Sequence, residues 1–271
     1  MTIYLFGDSY VEAERAKSLN VKDHKRWYDI LSELMNEEHT NYGECGAGPI
    51  NTMKEFQTRF ESGWFESNDK FVIVLSSPYR IPWKWRFEKK GSAAPSTIFQ
   101  DFFSKKQGEL GELLFNEYHD FTLNSFYDCM YDELSYTNIK NICLLKHIST
   151  QNNWPIIVFN VYDINKDNPK QNKYNESIYD LEYLNTDLFY FYPVSLFFHS
   201  KNEWKNERNL NEGMLNHFSE RNHRILANII CNHFTDSNYP VKFHEKFIKG
   251  DINRDARFSK DTSKFVDFIY E

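Results

Sequence analysis

Apolar residues occur along this chain in short uninterrupted runs, separated by polar residues and turn formers. Runs of this kind predict strands that are buried on both faces, as in a parallel sheet. Gly7 closes the first run, which indicates a turn directly after the first strand. The predicted strands are Ile3 to Phe6, Phe71 to Leu75, Pro155 to Phe159 and the more aromatic run Leu188 to Val194.

Helical periodicity fills the intervals between these runs. A helix is predicted directly after Gly7, and a second from about Asp23 to Glu38, where apolar residues recur at i, i+3, i+4, i+7 and i+8. Further helices are predicted from about Asn51 to Phe60 and from Ser219, a suitable N-cap, to His233. The apolar stripe of the second helix consists of Trp27, Ile30, Leu31, Leu34 and Met35.

Strands that alternate with helices predict an α/β fold, here a three-layer α/β/α sandwich around a parallel sheet. The predicted domain spans residues 1–235 and includes a mostly helical insertion from about residue 84 to residue 154. The polar residues 236–271 form a predicted C-terminal extension.

The composition is that of a globular protein: 41% of the 271 residues are hydrophobic and 26% are charged, with a net charge of −7. No apolar run approaches the roughly 18 residues of a membrane helix, and the first strand lacks the basic leader of a signal peptide. An acidic balance argues against a general nucleic-acid partner. We therefore expect a cytoplasmic protein that binds neither a membrane nor nucleic acid.

Cysteine and aromatic usage adds two expectations. The four cysteines include no CxxC pair, which indicates a reducing compartment and no zinc or redox motif. The aromatic content of 17%, together with frequent Asn, Lys and Ile, favours the codon bias of an AT-rich genome over a dedicated carbohydrate surface. A phage or a low-GC bacterium would have such a genome, and a phage protein could be virion-associated.

The turn Gly7-Asp8-Ser9 carries the clearest chemical signal. A serine just past the carboxyl end of a strand, at the start of a helix, is exposed where α/β sheets bind ligands. Free N–H groups at a helix start can stabilise an oxyanion, and a serine hydroxyl becomes nucleophilic when a histidine accepts its proton. The structural alternative is that Ser9 only caps the helix.

Three segments, in order, resemble the conserved blocks of the SGNH (GDSL-type) hydrolases. Besides Gly7-Asp8-Ser9, the segment Asn41 to Gly46 is similar to the second block and Asn216 to Ala227 to the last block. The resemblance implies a flavodoxin-like α/β/α fold and ester hydrolysis without a metal or organic cofactor. It implies that Ser9 is the nucleophile and His217 the general base, while Asp8 shapes the turn. It further implies that His223 is a helix residue and that the N–H groups of Ser9 and Gly46, with Gly48 as an alternative to Gly46, form the oxyanion hole.

The chain departs from that pattern at two positions. Pro78 stands where the family's third block has an asparagine donor, so Ser77 or Arg80 would have to replace it. Losing one oxyanion donor costs about 10²–10³-fold in rate. Met214 stands where the family has the aspartate that orients the histidine, and Glu212 has a different spacing. A Ser9–His217 dyad oriented by a backbone carbonyl remains an alternative.

Other motifs are weaker. The segments Asp163 to Asp167 and Asp251 to Asp255 begin like calcium loops but lack the later glycine and glutamate, so we interpret both as solvated turns and expect no metal. The segment Pro82 to Gly91 combines aromatic and cationic residues, and Trp83 and Trp85 either contact a ligand or pack on the insertion.

From the sequence we predict an esterase that removes O-acetyl or other small acyl groups from a glycan, with Arg80, Ser77, Trp83 and Trp85 as substrate-binding residues. One alternative is a non-catalytic glycan- or partner-binding protein of the same fold. Another is a sugar acyltransferase that uses the same serine and histidine. The oligomeric state is left open.

Overall fold

The computed structural model describes residues 1–12, 25–44, 46–76, 78, 80–84, 90–93, 133–161, 178, 180–193, 196 and 220–236. A five-stranded, wholly parallel sheet forms its centre. The strands of the sheet are β1 (Thr2–Phe6), β2 (Glu38–Asn41), β3 (Lys70–Leu75), β6 (Ile156–Asn160) and β7 (Phe189–Tyr192). They lie in the order β2-β1-β3-β6-β7. Counting only the strands of this sheet, the order is 2-1-3-4-5, which is the flavodoxin-like order of doubly wound proteins.

Burial explains why the central strands are apolar at successive positions. Every residue of β3 and of β6 is buried, because helices cover both faces of the sheet. Alternate side chains of β3 enter two separate cores: Val72 and Val74 point to one, and Phe71, Ile73 and Leu75 to the other.

Helices α1 (Trp27–Met35) and α4 (Glu220–Thr235) pack against each other in the first core, where Leu31 and Ile230 are fully buried. Helices α2 (Pro49–Glu61) and α3 (residues 133–152) contribute Phe56 and Ile142 to the second core. The predicted three-layer α/β/α sandwich is therefore confirmed. No helix within the described ranges combines the length and apolarity that crossing a membrane requires.

The first half of the chain differs from the prediction in two ways. The helix predicted to run to Glu38 ends at Met35, because Asn36 takes a left-handed conformation with φ of 53°. The next residues form strand β2, which the sequence did not predict because its four residues, Glu38–Asn41, are all polar. On α1 itself Leu34 is 47% exposed, and Tyr28 takes a core position instead.

The predicted helical insertion begins differently from expectation. Strands β4 (Ile81–Lys84) and β5 (Lys90–Ala93) form an antiparallel hairpin, so its first part is β-structure. Helix α3 confirms helical structure over residues 133–152. Residues 94–132, the Ser219 cap and the extension from residue 237 onward lie outside the described residues. A five-residue 3-10 helix, Asp180–Leu184, precedes β7.

Candidate active site

Polar residues gather where the parallel strands end. Asp8 and Ser9 follow β1, Asn41 is the last residue of β2, Ser76 follows β3 and Asn160 is the last residue of β6. Asp8, Ser76 and Asn160 are buried, although buried polar groups are costly unless they are hydrogen-bonded. The carboxyl edge of the sheet is therefore the candidate site, as in other open α/β sheets.

The Gly7-Asp8-Ser9 segment forms one helical turn. The Asp8 carbonyl accepts hydrogen bonds from the N–H groups of Val11 and Glu12, at 2.9 and 3.0 Å. The Asp8 carboxylate accepts from the N–H of Tyr10 at 3.1 Å, so the capping side chain of this turn is Asp8. Ser9, half-buried, stands in the turn itself. Asp8 therefore caps this turn beside Ser9.

Gly7 is required here for close packing. A β-carbon at position 7 would lie 2.8 Å from side-chain atoms of both Val11 and Val74. The turn can therefore lie flat against the neighbouring strand β3 only because this residue has no side chain.

Burial raises the pKa of Asp8, because water no longer solvates its charged form. The Tyr10 N–H, the Arg80 guanidinium and the Ser76 hydroxyl each oppose that rise. The Arg80 Nη1 lies 3.8 Å from Asp8 Oδ2, and the Arg80 side chain is 37% exposed while that of Asp8 is 2% exposed. Asp8 is thus a buried carboxyl group with a half-exposed cation beside it, next to the candidate nucleophile.

The loop after β2 lies directly beside the Ser9 turn. The Glu44 N–H donates to the Gly7 carbonyl at 3.0 Å, and the Tyr42 N–H donates to the Leu5 carbonyl at 2.8 Å. Gly46, the oxyanion residue implied by the family resemblance, has φ of 78°, a conformation that favours glycine.

Asn41 joins the two loops through its side chain. Its Nδ2 donates to the Val11 carbonyl at 2.5 Å, and its Oδ1 accepts from the Gly43 N–H at 2.8 Å. Sequence reasoning quoted Asn41 as part of a block but missed this role. No signal marked Asn41, because β2 is polar and only partly buried, whereas Ser76 and Asn160 stand at the ends of buried apolar strands.

The loop after β3 meets the loop before α2. A β-carbon on Gly48 would lie 1.9 Å from the Arg80 carbonyl oxygen, so only glycine permits this approach of the two backbones. Pro78 is buried in the intervening turn and has no N–H to donate. Asn160 is buried at the end of β6, the strand paired with β3, and donates its Nδ2 to the Pro193 carbonyl at 3.0 Å.

The amino-terminal parts of α1 and α4 reach the Ser9 turn through a chain of hydrogen bonds. His223, which is fully buried in α4, accepts at Nδ1 from the Trp27 N–H at 3.1 Å. The Trp27 indole in turn donates to the carbonyl of Tyr10, the residue after Ser9, at 3.0 Å. His223 is thus a helix residue, as the family resemblance implies.

Several predicted site positions lie outside the described residues, namely Ser77, Trp85, Glu212, Met214 and His217. Trp83 belongs to β4, where its backbone is paired with Gly91. Within the described ranges, no group of three or more His, Cys, Asp or Glu side chains could hold a metal ion. Both calcium-loop-like segments fall outside those ranges.

The fold and this edge define the class of the protein: a three-layer α/β/α domain of flavodoxin-like strand order, with a Gly-Asp-Ser turn after its first strand. A solved structure similar to this chain is that of a member of the lipolytic protein G-D-S-L family from Veillonella parvula DSM 2008. It is 14% identical, with a TM-score of 0.40, over 88% of this chain and 99% of the other. A likeness of this size assigns neither an activity nor site residues to this chain.

No protein-family model matches the chain. No curated protein matches it.

Proposed function

We propose that this protein is a serine esterase of the SGNH type, which removes O-acetyl or other small acyl groups from a glycan. The observation that carries the proposal is the position of Ser9, in a capped turn at the carboxyl end of β1 with the Gly43–Gly46 loop hydrogen-bonded beside it. Nucleophile and oxyanion donors have to converge on one carbonyl carbon, and neighbouring loops of this kind allow that.

In the proposed reaction, Ser9 Oγ attacks the ester carbonyl while His217 accepts its proton. The N–H groups of Ser9 and Gly46 stabilise the negative charge that develops on the carbonyl oxygen. The tetrahedral intermediate collapses, the bond to the alcohol breaks, and His217 returns the proton to the departing alcohol. Water, activated by the same histidine, then hydrolyses the acyl-serine and regenerates the free hydroxyl.

The contacts of α4 support His217 as the base. His223 is joined to the residue after Ser9 through Trp27, so the start of α4 lies near the serine turn. Glu220, the first residue of α4, lies about 4.5 Å from His223 along the helix axis, because the rise is about 1.5 Å per residue. His217 precedes Glu220 by three residues, which span at most about 10 Å. The proposal requires the His217 imidazole to reach Ser9 from the start of α4 over this short length of chain.

A glycan substrate is supported by the hairpin that comes after the site loop. The β4–β5 hairpin begins at Ile81, directly after Arg80, and carries Trp83. Tryptophan combines a large apolar ring with a polar N–H, which suits the apolar face and the hydroxyl groups of a sugar. We assign Arg80, Ser77, Trp83 and Trp85 to substrate binding in this proposal.

One observation favours a second candidate, a non-catalytic glycan- or partner-binding protein. Pro78 is buried in the loop that would have to supply a side-chain donor to the oxyanion, and proline has none. A protein that only binds would not need that donor.

Hydrolysis of para-nitrophenyl acetate separates the two candidates. We expect turnover by the wild type that Ser9→Ala and His217→Ala each abolish. Ser62→Ala and His147→Ala are the matched controls, and both should retain turnover. Ser62 is exposed just after α2, and His147 is exposed on α3. An activated fluorophosphonate should also label Ser9, as peptide mass spectrometry would show. A folded wild type with neither turnover nor labelling would favour the binding protein, and activity that survives in Ser9→Ala would exclude this nucleophile.

A further inference from the structure

Arg80 contacts two other loops of the candidate site. Its backbone carbonyl packs on the α-carbon of Gly48, at the start of α2, while its side chain reaches across to Asp8, beside Ser9. The three loops that follow β1, β2 and β3 therefore meet at this one residue. The backbone contact with Gly48 and the ion pair with Asp8 together place the guanidinium beside the Ser9 turn.

The pairing with Asp8 leaves the guanidinium able to bind a second anion. An arginine that serves only to neutralise a buried carboxylate donates two parallel hydrogen bonds to it, at about 2.7–2.9 Å. Here the shortest ion-pair separation is 3.8 Å, too long for a hydrogen bond, and the side chain is 37% exposed. The guanidinium thus lies beside Asp8 without a direct hydrogen bond to it, and part of the Arg80 side chain is open to solvent.

The surroundings explain why a cation would be needed for an anionic substrate. The chain as a whole carries a net charge of −7, which repels anions at long range. At physiological ionic strength this field is screened within about 8 Å, so that a nearby charge determines local binding. Burial disfavours the charged form of Asp8, and the Arg80 guanidinium opposes that effect.

We propose that Arg80 binds an anionic group of the substrate, so that the preferred esters carry a carboxylate, sulfate or phosphate close to the ester bond. On a glycan, this means an acyl group borne by an acidic sugar. Asp8 is the positioning residue that directs the guanidinium. The inference rests on the proposed esterase activity for its meaning, and it goes beyond it in the class of substrate.

Two pairs of esters test it, one for each place the anion could occupy. The para-nitrophenyl monoester of adipic acid and the corresponding primary amide carry a carboxylate and a neutral group of nearly the same size on the acyl side. Para-acetoxyphenylacetate and para-acetoxyphenylacetamide make the same comparison on the alcohol side. For each pair the readout is the ratio of kcat/KM for the charged ester to kcat/KM for the neutral one, corrected for the uncatalysed rates.

We expect the wild type to prefer the charged member of at least one pair by about ten- to a hundredfold, the range of a charge-assisted hydrogen bond. Arg80→Gln should bring that ratio close to one, and Arg80→Lys, which keeps the charge without the planar fork, should retain part of it. Lys140→Gln is the matched loss of one positive charge away from the site, at an exposed position on α3. It should leave the ratio unchanged.

Two results would overturn the inference without touching the esterase proposal. One is Ser9-dependent turnover with no preference for a charged ester in either pair. The other is an equal loss of both members in Arg80→Gln, which would place Arg80 at the reacting carbonyl rather than at a substrate anion.

A binding measurement makes the inference testable even if the wild type hydrolyses none of the esters. In a Ser9→Ala background, calorimetry compares the affinity of each charged ester with and without Arg80→Gln. Weakened binding of the charged ester in the double variant supports the anion site. Equal binding rejects it, whatever the outcome of the turnover assay.

Discussion

His223 and Trp27, which are 196 positions apart in the chain, form a buried hydrogen bond at the heart of the first core. The backbone N–H of Trp27 donates to His223 Nδ1 at 3.1 Å. This N–H belongs to the first residue of α1 and has no acceptor within its own helix, so a side chain has to supply one. The Nδ1 nitrogen must therefore carry no proton, which assigns the ring proton to Nε2.

Removing that acceptor should destabilise the fold. His223→Leu would leave the Trp27 N–H buried without a partner, at a cost of about 1–3 kcal/mol. His223→Asn places a carbonyl oxygen close to the position of Nδ1 and should lose less. Urea unfolding of both variants would check this, and equal losses would mean that the ring volume, not the hydrogen bond, stabilises the core.

Asp8→Asn should separate stability from activity. Because burial raises the pKa of Asp8 above its ordinary value of 3.8, the folded protein holds this proton more tightly than the unfolded chain. The contribution of Asp8 to stability therefore falls as pH rises from that value through the raised folded pKa. Asparagine has no charge to bury and keeps an oxygen for the Tyr10 N–H.

At neutral pH we accordingly expect Asp8→Asn to unfold at the same temperature as the wild type or higher, with reduced turnover. Asp8→Ala, which also loses the cap, should lose about 1 kcal/mol. Thermal unfolding of the three proteins at neutral and at acid pH is the measurement. An Asp8→Asn variant that gains stability over the wild type only in acid would contradict the linkage.

Gly48→Ala should impair both folding and the site. The φ of Gly48 is −89°, which any residue can adopt, so the cost comes from the β-carbon that would lie 1.9 Å from the Arg80 carbonyl oxygen. Moving these backbones apart should cost on the order of 1–3 kcal/mol, typical of overpacking. It should also lower esterase turnover, because Arg80 moves with its loop.

Gly63→Ala is the matched control for that variant. Gly63 has φ of 67° and open space around it, so alanine there costs about 1 kcal/mol of backbone strain and should leave turnover intact. Paired denaturation and activity measurements compare the two. A Gly48→Ala protein with wild-type activity would show that the approach to Arg80 is not required at the site.

His39 should make stability depend on pH in the weakly acidic range. Burial lowers its pKa below the ordinary 6.5, although the Asp29 carboxylate, 3.7 Å away, opposes the shift. The unfolded chain therefore binds more protons between the lowered folded pKa and 6.5. Stability is lost as pH falls through this window.

The change in unfolding midpoint across that window should be smaller in His39→Gln than in the wild type. Asp29→Asn removes the group that raises the pKa, so its midpoint should depend on pH more steeply. The slopes, not the absolute midpoints, are compared, because Asp29 also accepts the Arg26 N–H at the start of α1. Identical slopes in all three proteins would contradict the role of His39.

The parts of the fold predicted from sequence were those encoded by local patterns. The runs Phe71 to Leu75 and Pro155 to Phe159 are apolar at successive positions, and both are buried parallel strands. Strand β2 could not be predicted, because Glu38–Asn41 has no apolar residue and is held by its pairing with β1. The β-structure at the start of the insertion could not be predicted for the same reason, since the β4–β5 hairpin depends on pairing between two segments.

The sequence by itself determined the strands β1, β3, β6 and β7 of the central sheet and the helices that cover them, and that Asp8 and Ser9 stand in a turn after the first strand. Only the tertiary structure decided what surrounds them. The Asp8–Arg80 pair, the approach of Gly48 to Arg80 and the bond between His223 and Trp27 join residues that are far apart along the chain. Contacts of this kind depend on strand order, register and helix packing, which hydrophobic periodicity does not encode.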